Sequence, residues 1–452
     1  SSSIPTRTID DAEQLENLRQ QNERLRGLVT SLTSRLELLE ISQRKIVDVC
    51  DEVNAIKEAL NESPAFAKKD RSSVLDRSNL MPKLQKEKAS NPAEILDLIE
   101  NDKSIYYSGW MSKKGRKVRN WKRRYFILKG HTLSYFAKEG DKAALGDINL
   151  ETCMVDELKE REESGRPCMA LLVEGRKLLF TAETPEENLR WYLYLVCKNA
   201  ELSYLRKLKH TNQLANNTLL AFMEQPMVSQ LRLDNNTLSI DSVVALTSPV
   251  RVHDTLHSLS LRYSKLNDLA ISTLCEALKS NKSIELLDLE GNNISADGAK
   301  ALSAVLDSNT PLKHISLKEN KIGDEGISHL ARVIRAKTNT NLIHLDLTHN
   351  QIGPNGAKEY ASALETSTTI SEVLFDDNQV SNTGAEALLN LCQKNSHICV
   401  LRLQNNGLTD SGVGAVTSII STNNSLKRLY LAFNTFSKTS YTTIVNTLIS
   451  NR

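Results

Sequence analysis

One hydrophobic pattern dominates the second half of the chain. From Leu231 onward apolar residues recur as L-x-L-x-x-N-x-L. The units read LRLDNNTL at Leu231, LSLRYSKL at Leu259, LDLEGNNI at Leu287 and ISLKENKI at Ile315. They continue as LDLTHNQI at Leu345, VLFDDNQV at Val373, LRLQNNGL at Leu401 and LYLAFNTF at Leu429. The pivotal positions are Asn236, Ser264, Asn292, Asn320, Asn350, Asn378, Asn406 and Asn434, spaced 28 apart except for one interval of 30. Leu-x-Leu predicts a short strand with alternate side chains turned inward. The Asn predicts a turn whose amide satisfies backbone groups of the neighbouring coil. Each Asn is followed by a stretch of helical period, such as ADGAKALSAVLDSN from Ala296. No unit buries its own apolar face, so the units must stack.

The pattern changes over residues 106–200. SGWMSKKG from Ser108, NWKRRYFILKG from Asn120 and HTLSYFAK from His131 alternate apolar and polar residues between Gly breaks. CMALLVE and RKLLFTAE follow in the same style. This predicts an antiparallel meander. Thr184 then stands as a helix N-cap, with Pro185 at the first helical position and Glu186 and Glu187 in the first turn.

A third period occupies residues 11–60. Leu18, Leu25, Leu32, Leu39, Ile46, Val53 and Leu60 fall seven apart, with Leu15, Asn22, Val29 and Leu36 in the partner column. That predicts a coiled coil, with Asn22 favouring a parallel homodimer and a register change beyond Leu39. A single amphipathic helix docked on the rest of the chain is the alternative. Residues 61–103 mix Ser, Lys, Pro and charge and read as a flexible linker with one short helix, PAEILDLIEN. The Ser72-Ser73 pair after Lys-Lys-Asp-Arg suits a basophilic kinase.

Composition narrows the classes. The chain has 452 residues, enough for two to four domains, and 40% of them are hydrophobic. The 57 basic and 55 acidic residues nearly cancel, but they are segregated. Ten basic and no acidic residues lie between Ser104 and Lys138, whereas residues 212–452 hold 20 basic against 22 acidic. No apolar run reaches the length of a spanning helix, and SSSIPTRTIDDAEQ lacks a secretory core. The chain begins at Ser1 without Met, which is compatible with an upstream segment. Seven scattered cysteines without a C-x-x-C pair predict neither disulfides nor zinc, and a reducing cytosol. P-loop, dinucleotide, H-E-x-x-H and G-x-S-x-G motifs are all absent from the sequence. His344 and His349 stand five apart, which suits no common metal spacing. No catalytic residue, cofactor or metal site is expected, and the basic stretch comes without a nucleic-acid-binding pattern.

The repeats resemble leucine-rich repeats of the ribonuclease-inhibitor type, over residues 214–452. Ser264 in place of Asn and the 30-residue unit are departures. The resemblance implies an α/β horseshoe of about eight units that binds a protein partner on its concave sheet. Asp288, Glu290, Asp346, Asp376, Arg402 and Tyr430 are its candidate contacts. The acidic middle units favour a basic surface, and a solvated face without a partner is the alternative.

Gly109-Trp110-Met111-x-Lys113, Trp121-Lys122-x-Arg124-Tyr125-Phe126 and Trp191 resemble a pleckstrin homology domain over residues 104–203. This implies a β-sandwich or barrel capped by a C-terminal helix. By the resemblance, Lys113, Lys122 and Arg124 cradle phosphoinositide phosphates, with Arg116, Lys117 and Arg119 in the intervening loop. Leu178 stands where some strong binders carry a further Arg, with Arg176 and Lys177 beside it. A loose anionic-surface or protein contact is the alternative.

The combined architecture is partly similar to actin capping-protein regulators of the CARMIL kind. The expectation is a multidomain, non-enzymatic adaptor. It would be a coiled-coil dimer, cytoplasmic and peripheral at a phosphoinositide membrane. A cytoskeletal or flagellar structural component, and a GTPase regulator, are the alternatives.

Overall fold

A computed structural model describes residues 92–93, 95–96, 105–115, 120–162, 166–308, 310–337 and 340–450. The expected coiled coil at 11–60 lies outside the described residues, as does most of 61–103. The short helix expected before the sheet domain is helical at 92–93 and 95–96, and Ile95 and Leu96 are buried in the core.

The first domain is a seven-stranded antiparallel sheet in the order β4-β3-β2-β1-β7-β6-β5. Its strands are β1 (Ile105–Lys114), β2 (Trp121–Lys129), β3 (Thr132–Phe136) and β4 (Gly146–Asn149), then β5 (Cys153–Glu162), β6 (Arg166–Val173) and β7 (Arg176–Ala182). Two meanders meet along β1 and β7 over only three residue pairs, Met111–Lys113 against Phe180–Ala182. Period-two alternation sends Met111, Phe126, Leu128, Leu133, Met169 and Phe180 to the inner face, all fully buried. Trp191 caps that core from the helix, edge-on to Tyr107 at 4.6 Å and to Phe126 at 6.4 Å.

Helix α1 (Pro185–Thr211) runs for 27 residues without a break, about 40 Å at the standard rise. Its start is capped as the sequence predicts, the Thr184 side chain accepting from the Glu187 N–H at 3.2 Å. The helix continues past residue 203, because its second half has its own apolar face. Tyr204, Leu205 and Leu208 are buried there. The Tyr204 and Ser242 hydroxyls lie 2.9 Å apart, and Lys207 pairs with Asp241 at 2.5 Å. One helix thus serves two cores.

After α2 (Asn217–Glu224) the chain repeats a three-residue strand and a helix. The strands β8 (Gln230–Arg232), β9 (Ser258–Ser260), β10 (Leu286–Asp288), β11 (His314–Ser316), β12 (His344–Asp346), β13 (Glu372–Leu374), β14 (Val400–Arg402) and β15 (Arg428–Tyr430) form one parallel sheet in sequence order. The helices are α3 (Ile240–Val252), α4 (Asp268–Leu278), α5 (Ala296–Asp307), α6 (Gly323–Ala336), α7 (Pro354–Leu364), α8 (Ser381–Lys394), α9 (Val413–Thr422) and α10 (Lys438–Ser450). The Leu-x-Leu residues, such as Leu287 and Leu289, are fully buried between sheet and helices. The longer unit takes its extra length between the end of α6, whose cap Lys337 is left-handed, and the start of β12 at His344.

The Asn ladder works by direct hydrogen bonds. Asn378 Nδ2 donates to the carbonyls of Leu347 at 3.0 Å and Phe375 at 3.1 Å. Its Oδ1 accepts from the N–H groups of Asn350 at 2.9 Å and Ile352 at 3.0 Å. Ser264 keeps the donor role, its hydroxyl reaching the Leu233 carbonyl at 2.8 Å. It has no amide oxygen to accept the Leu238 N–H, and its own backbone carbonyl takes that bond at 3.2 Å.

Candidate functional site

The inner face of the first sheet is apolar in the middle and cationic at one end. Lys113 lies two residues beyond Met111 on β1, and Lys122 and Arg124 precede Phe126 on β2 at the same parity. Lys113 and Lys122 are direct cross-strand partners. Strand alternation therefore continues the core side of the sheet outward with cations where the apolar filling ends. β7 repeats this, its inward series Ala182, Phe180 and Leu178 ending at Arg176.

These residues line one hollow of about 930 Å3, together with Lys114, Lys177, Tyr135 and Leu145. Lys113 Nζ lies 4.1 Å from the centre of the Tyr135 ring. Lys177 is paired with Asp156 at 3.3 Å. Arg123 points to the other side, as its parity demands. It stacks on Trp110 at 4.3 Å and pairs with Glu183 at 2.5 Å. Among the described residues no carboxylate lines the hollow. Six cations gathered around one hollow suit a multiply charged phosphate ligand, with Arg supplying paired donors.

The structure thus brings Lys113, Lys122 and Arg124 together. Arg116, Lys117 and Arg119 lie outside the described residues. Lys114, Tyr135 and Leu145 were missed in the sequence. Lys114 is the last residue of β1, paired with Trp121, and at the opposite parity to Lys113, so alternation alone would not place it in the hollow. Tyr135 reaches the hollow through the pairing of β3 with β2, and Leu145 through that of β4 with β3.

The open face of the parallel sheet divides in two. Around β10 the acids are already matched. Glu290 meets Arg262 Nη2 at 2.7 Å, Lys318 Nζ at 3.1 Å and the Tyr263 hydroxyl at 3.0 Å. Burial alone would raise the Glu290 carboxyl, but the hydrogen bonds from Lys318 and Tyr263 hold it below its ordinary value. Burial pushes Asp288 above its ordinary value, with Arg262 Nε 3.7 Å away. Toward the C-terminal end, Asp346, Asp376, Arg402 and Tyr430 share a hollow of about 590 Å3 with Glu372, Asp377 and Phe433. Asp376 is held by Arg402 Nε at 2.5 Å and by the Gln404 N–H at 2.8 Å, and Arg402 lies 4.6 Å over Tyr430. Of the six candidates on this face, four therefore converge, and Asp288 and Glu290 stand apart in their own ion-pair network.

Every unit holds the residue before its ladder position in the left-handed region: Asn235, Tyr263, Gly291, Glu319, His349, Asp377, Asn405 and Phe433, with φ between 49° and 68°. At Gly291 the close packing adds to the backbone preference, since a Cβ there would sit 2.1 Å from the Tyr263 ring. Phe433 takes this backbone, which disfavours bulky side chains, while 56% exposed.

Comparison with known proteins agrees with both modules. The PH domain family matches residues 105–196. The Leucine Rich repeat family matches 280–303, 308–331, 338–359 and 394–416. A PH domain-containing protein of Dictyostelium discoideum is 36% identical over 84 residues, 18% of this chain and 18% of that protein. Switch-associated protein 70 of Bos taurus is 42% identical over 79 residues, 17% of this chain and 12% of that protein. The chain thus spans less than a fifth of the length of these curated relatives. The solved C-terminal PH domain of pleckstrin, in complex with D-myo-Ins(1,2,3,5,6)P5, is 27% identical, covering 21% of this chain and 96% of that one at a TM-score of 0.19. The chain therefore carries a PH domain, followed by leucine-rich repeats.

Proposed function

We propose that this protein is a non-enzymatic adaptor that docks on phosphoinositide-bearing membrane and presents its repeat sheet to a protein partner. One observation carries the membrane half: among the described residues, six cations and no carboxylate line the hollow at the open end of the PH sheet. Such a hollow concentrates donors for a phosphorylated headgroup and adds attraction to an anionic leaflet. The protein half rests on the C-terminal hollow of the sheet, where Asp346, Asp376, Arg402 and Tyr430 meet beside the exposed Phe433. Aromatic and Arg side chains of this kind are the usual anchors of an interface. The heptad seam at 11–60 would pair two copies and multiply weak membrane contacts by avidity.

Sedimentation with vesicles of phosphatidylcholine and phosphatidylinositol bisphosphate tests the membrane half. Each cation near an anionic surface contributes about 1 kcal/mol, so Lys122→Ala with Arg124→Ala should weaken binding roughly 30-fold. Unchanged binding would remove the headgroup assignment.

A further inference from the structure

The cationic hollow has an apolar residue on its rim that headgroup recognition does not require. Leu145 lines the hollow beside Lys113, Lys122 and Arg124, yet 53% of it faces solvent. Ala143 and Ala144 before it are exposed as well, so three apolar residues stand in a row. A lone exposed Leu is ordinary. This one differs in how it is held and in what surrounds it.

The Leu145 N–H donates to the Tyr135 carbonyl at 2.8 Å. The next residue, Gly146, pairs with Tyr135 across β3 and β4. The Tyr135 ring covers Gly146 so closely that a Cβ there would lie 2.5 Å from the ring hydroxyl. The same ring carries Lys113 Nζ. Leu145 is thus fixed relative to the cations by a hydrogen bond, a strand pairing and a packed ring. Inserting it into another phase orders little that is not already ordered.

Two sources could supply the anionic ligand, a free inositol phosphate or a lipid headgroup. A free inositol phosphate has nothing apolar to offer Leu145. A bilayer has the anionic surface that matches the cations and an acyl boundary directly beneath it. Resting on the headgroup reading above, the geometry points to Leu145, with Ala143 and Ala144, as an apolar wedge that enters an anionic bilayer while the cations hold the headgroup.

The test compares the full chain on two probes. One is vesicles of phosphatidylcholine with phosphatidylinositol bisphosphate, followed by sedimentation. The other is soluble inositol trisphosphate, followed by calorimetry. Leu145→Ser should weaken vesicle binding about tenfold, the scale of one buried Leu, and leave the soluble ligand unaffected. Leu145→Trp should tighten vesicle binding and again leave the soluble ligand unaffected. Unchanged vesicle binding by Leu145→Ser, or an equal loss on both probes, would overturn the wedge. Wild-type binding to the soluble probe but not to vesicles would also overturn it while sparing the headgroup reading. If the wild type binds neither probe, both readings fall.

Discussion

At the residue scale, a few polar side chains fix the backbone of the whole array. Asn378 supplies donors to three carbonyls and an acceptor to two N–H groups, all buried. Truncation would leave those groups unpaired rather than merely remove contacts. Asn378→Ala should therefore cost about 3 kcal/mol or more in urea unfolding. A loss below about 1 kcal/mol would mean that the neighbouring coils re-pair without it. His253 plays a related part at the start of the array. Its Nε2 donates to the Pro226 carbonyl at 2.6 Å, while Nδ1 accepts from the N–H groups of Leu256 at 3.0 Å and Thr255 at 3.3 Å. Burial lowers its pKa, so the folded protein takes this proton less readily than the unfolded chain, whose His titrates near 6.5. The neutral ring's contribution is full above that pH and shrinks as the pH falls through it. Urea unfolding at pH 7.5 and 5.5 should show lower stability at 5.5, with a smaller difference in His253→Asn. An identical difference in the variant would assign the pH dependence to other groups.

At the element scale, α1 is the least replaceable piece. Near its middle, Lys198 and Glu201 pair at 2.5 Å with both side chains buried, and Lys198 Nζ lies 3.7 Å over the Tyr106 ring. Removing one charge strands the other, so Lys198→Met should cost about 3–5 kcal/mol. Adding Glu201→Leu should recover most of that in thermal unfolding. If the double variant is no better than the single, the cost lies in packing around Tyr106. The start of α1 was legible in the sequence, because capping chemistry is local. The stretch of helical period ran on to Leu208 as well, but the contacts of Tyr204 and Leu208 with the repeats were not legible, since both residues also suit the surface of a domain ending near residue 203. The cations Lys113, Lys122 and Arg124 were picked out through the resemblance to a pleckstrin homology domain. Alternation puts Lys122 and Arg124 on one face of β2, and the pairing of β1 with β2 brings Lys113 beside them.

At the scale of the whole molecule, the near-neutral total conceals a division of labour. The PH end concentrates cations around one hollow, whereas the repeats balance most of their charge internally. The acidic strip expected on the middle units is an example. Summed along the sequence it is an anionic surface, but in space Arg262 and Lys318 fall between the carboxylates. Helix α1, packed on both cores, ties the PH sheet to the repeats. The available contact surface on the repeats is shifted toward β12–β15, where Phe433 is exposed.

The sequence by itself determined the strand–helix period, the inward Leu columns, the Asn ladder and the parity of Lys113, Lys122 and Arg124. Each of these follows from spacing along one strand or one unit, and spacing is a local property. The tertiary structure decided which charges meet. Arg176 joins the hollow through the pairing of β7 with β1, Leu145 through that of β4 with β3, and Glu290 is neutralised by side chains from the units on either side. Electrostatic and packing partners are set by distance in space, and the chain records only distance along itself.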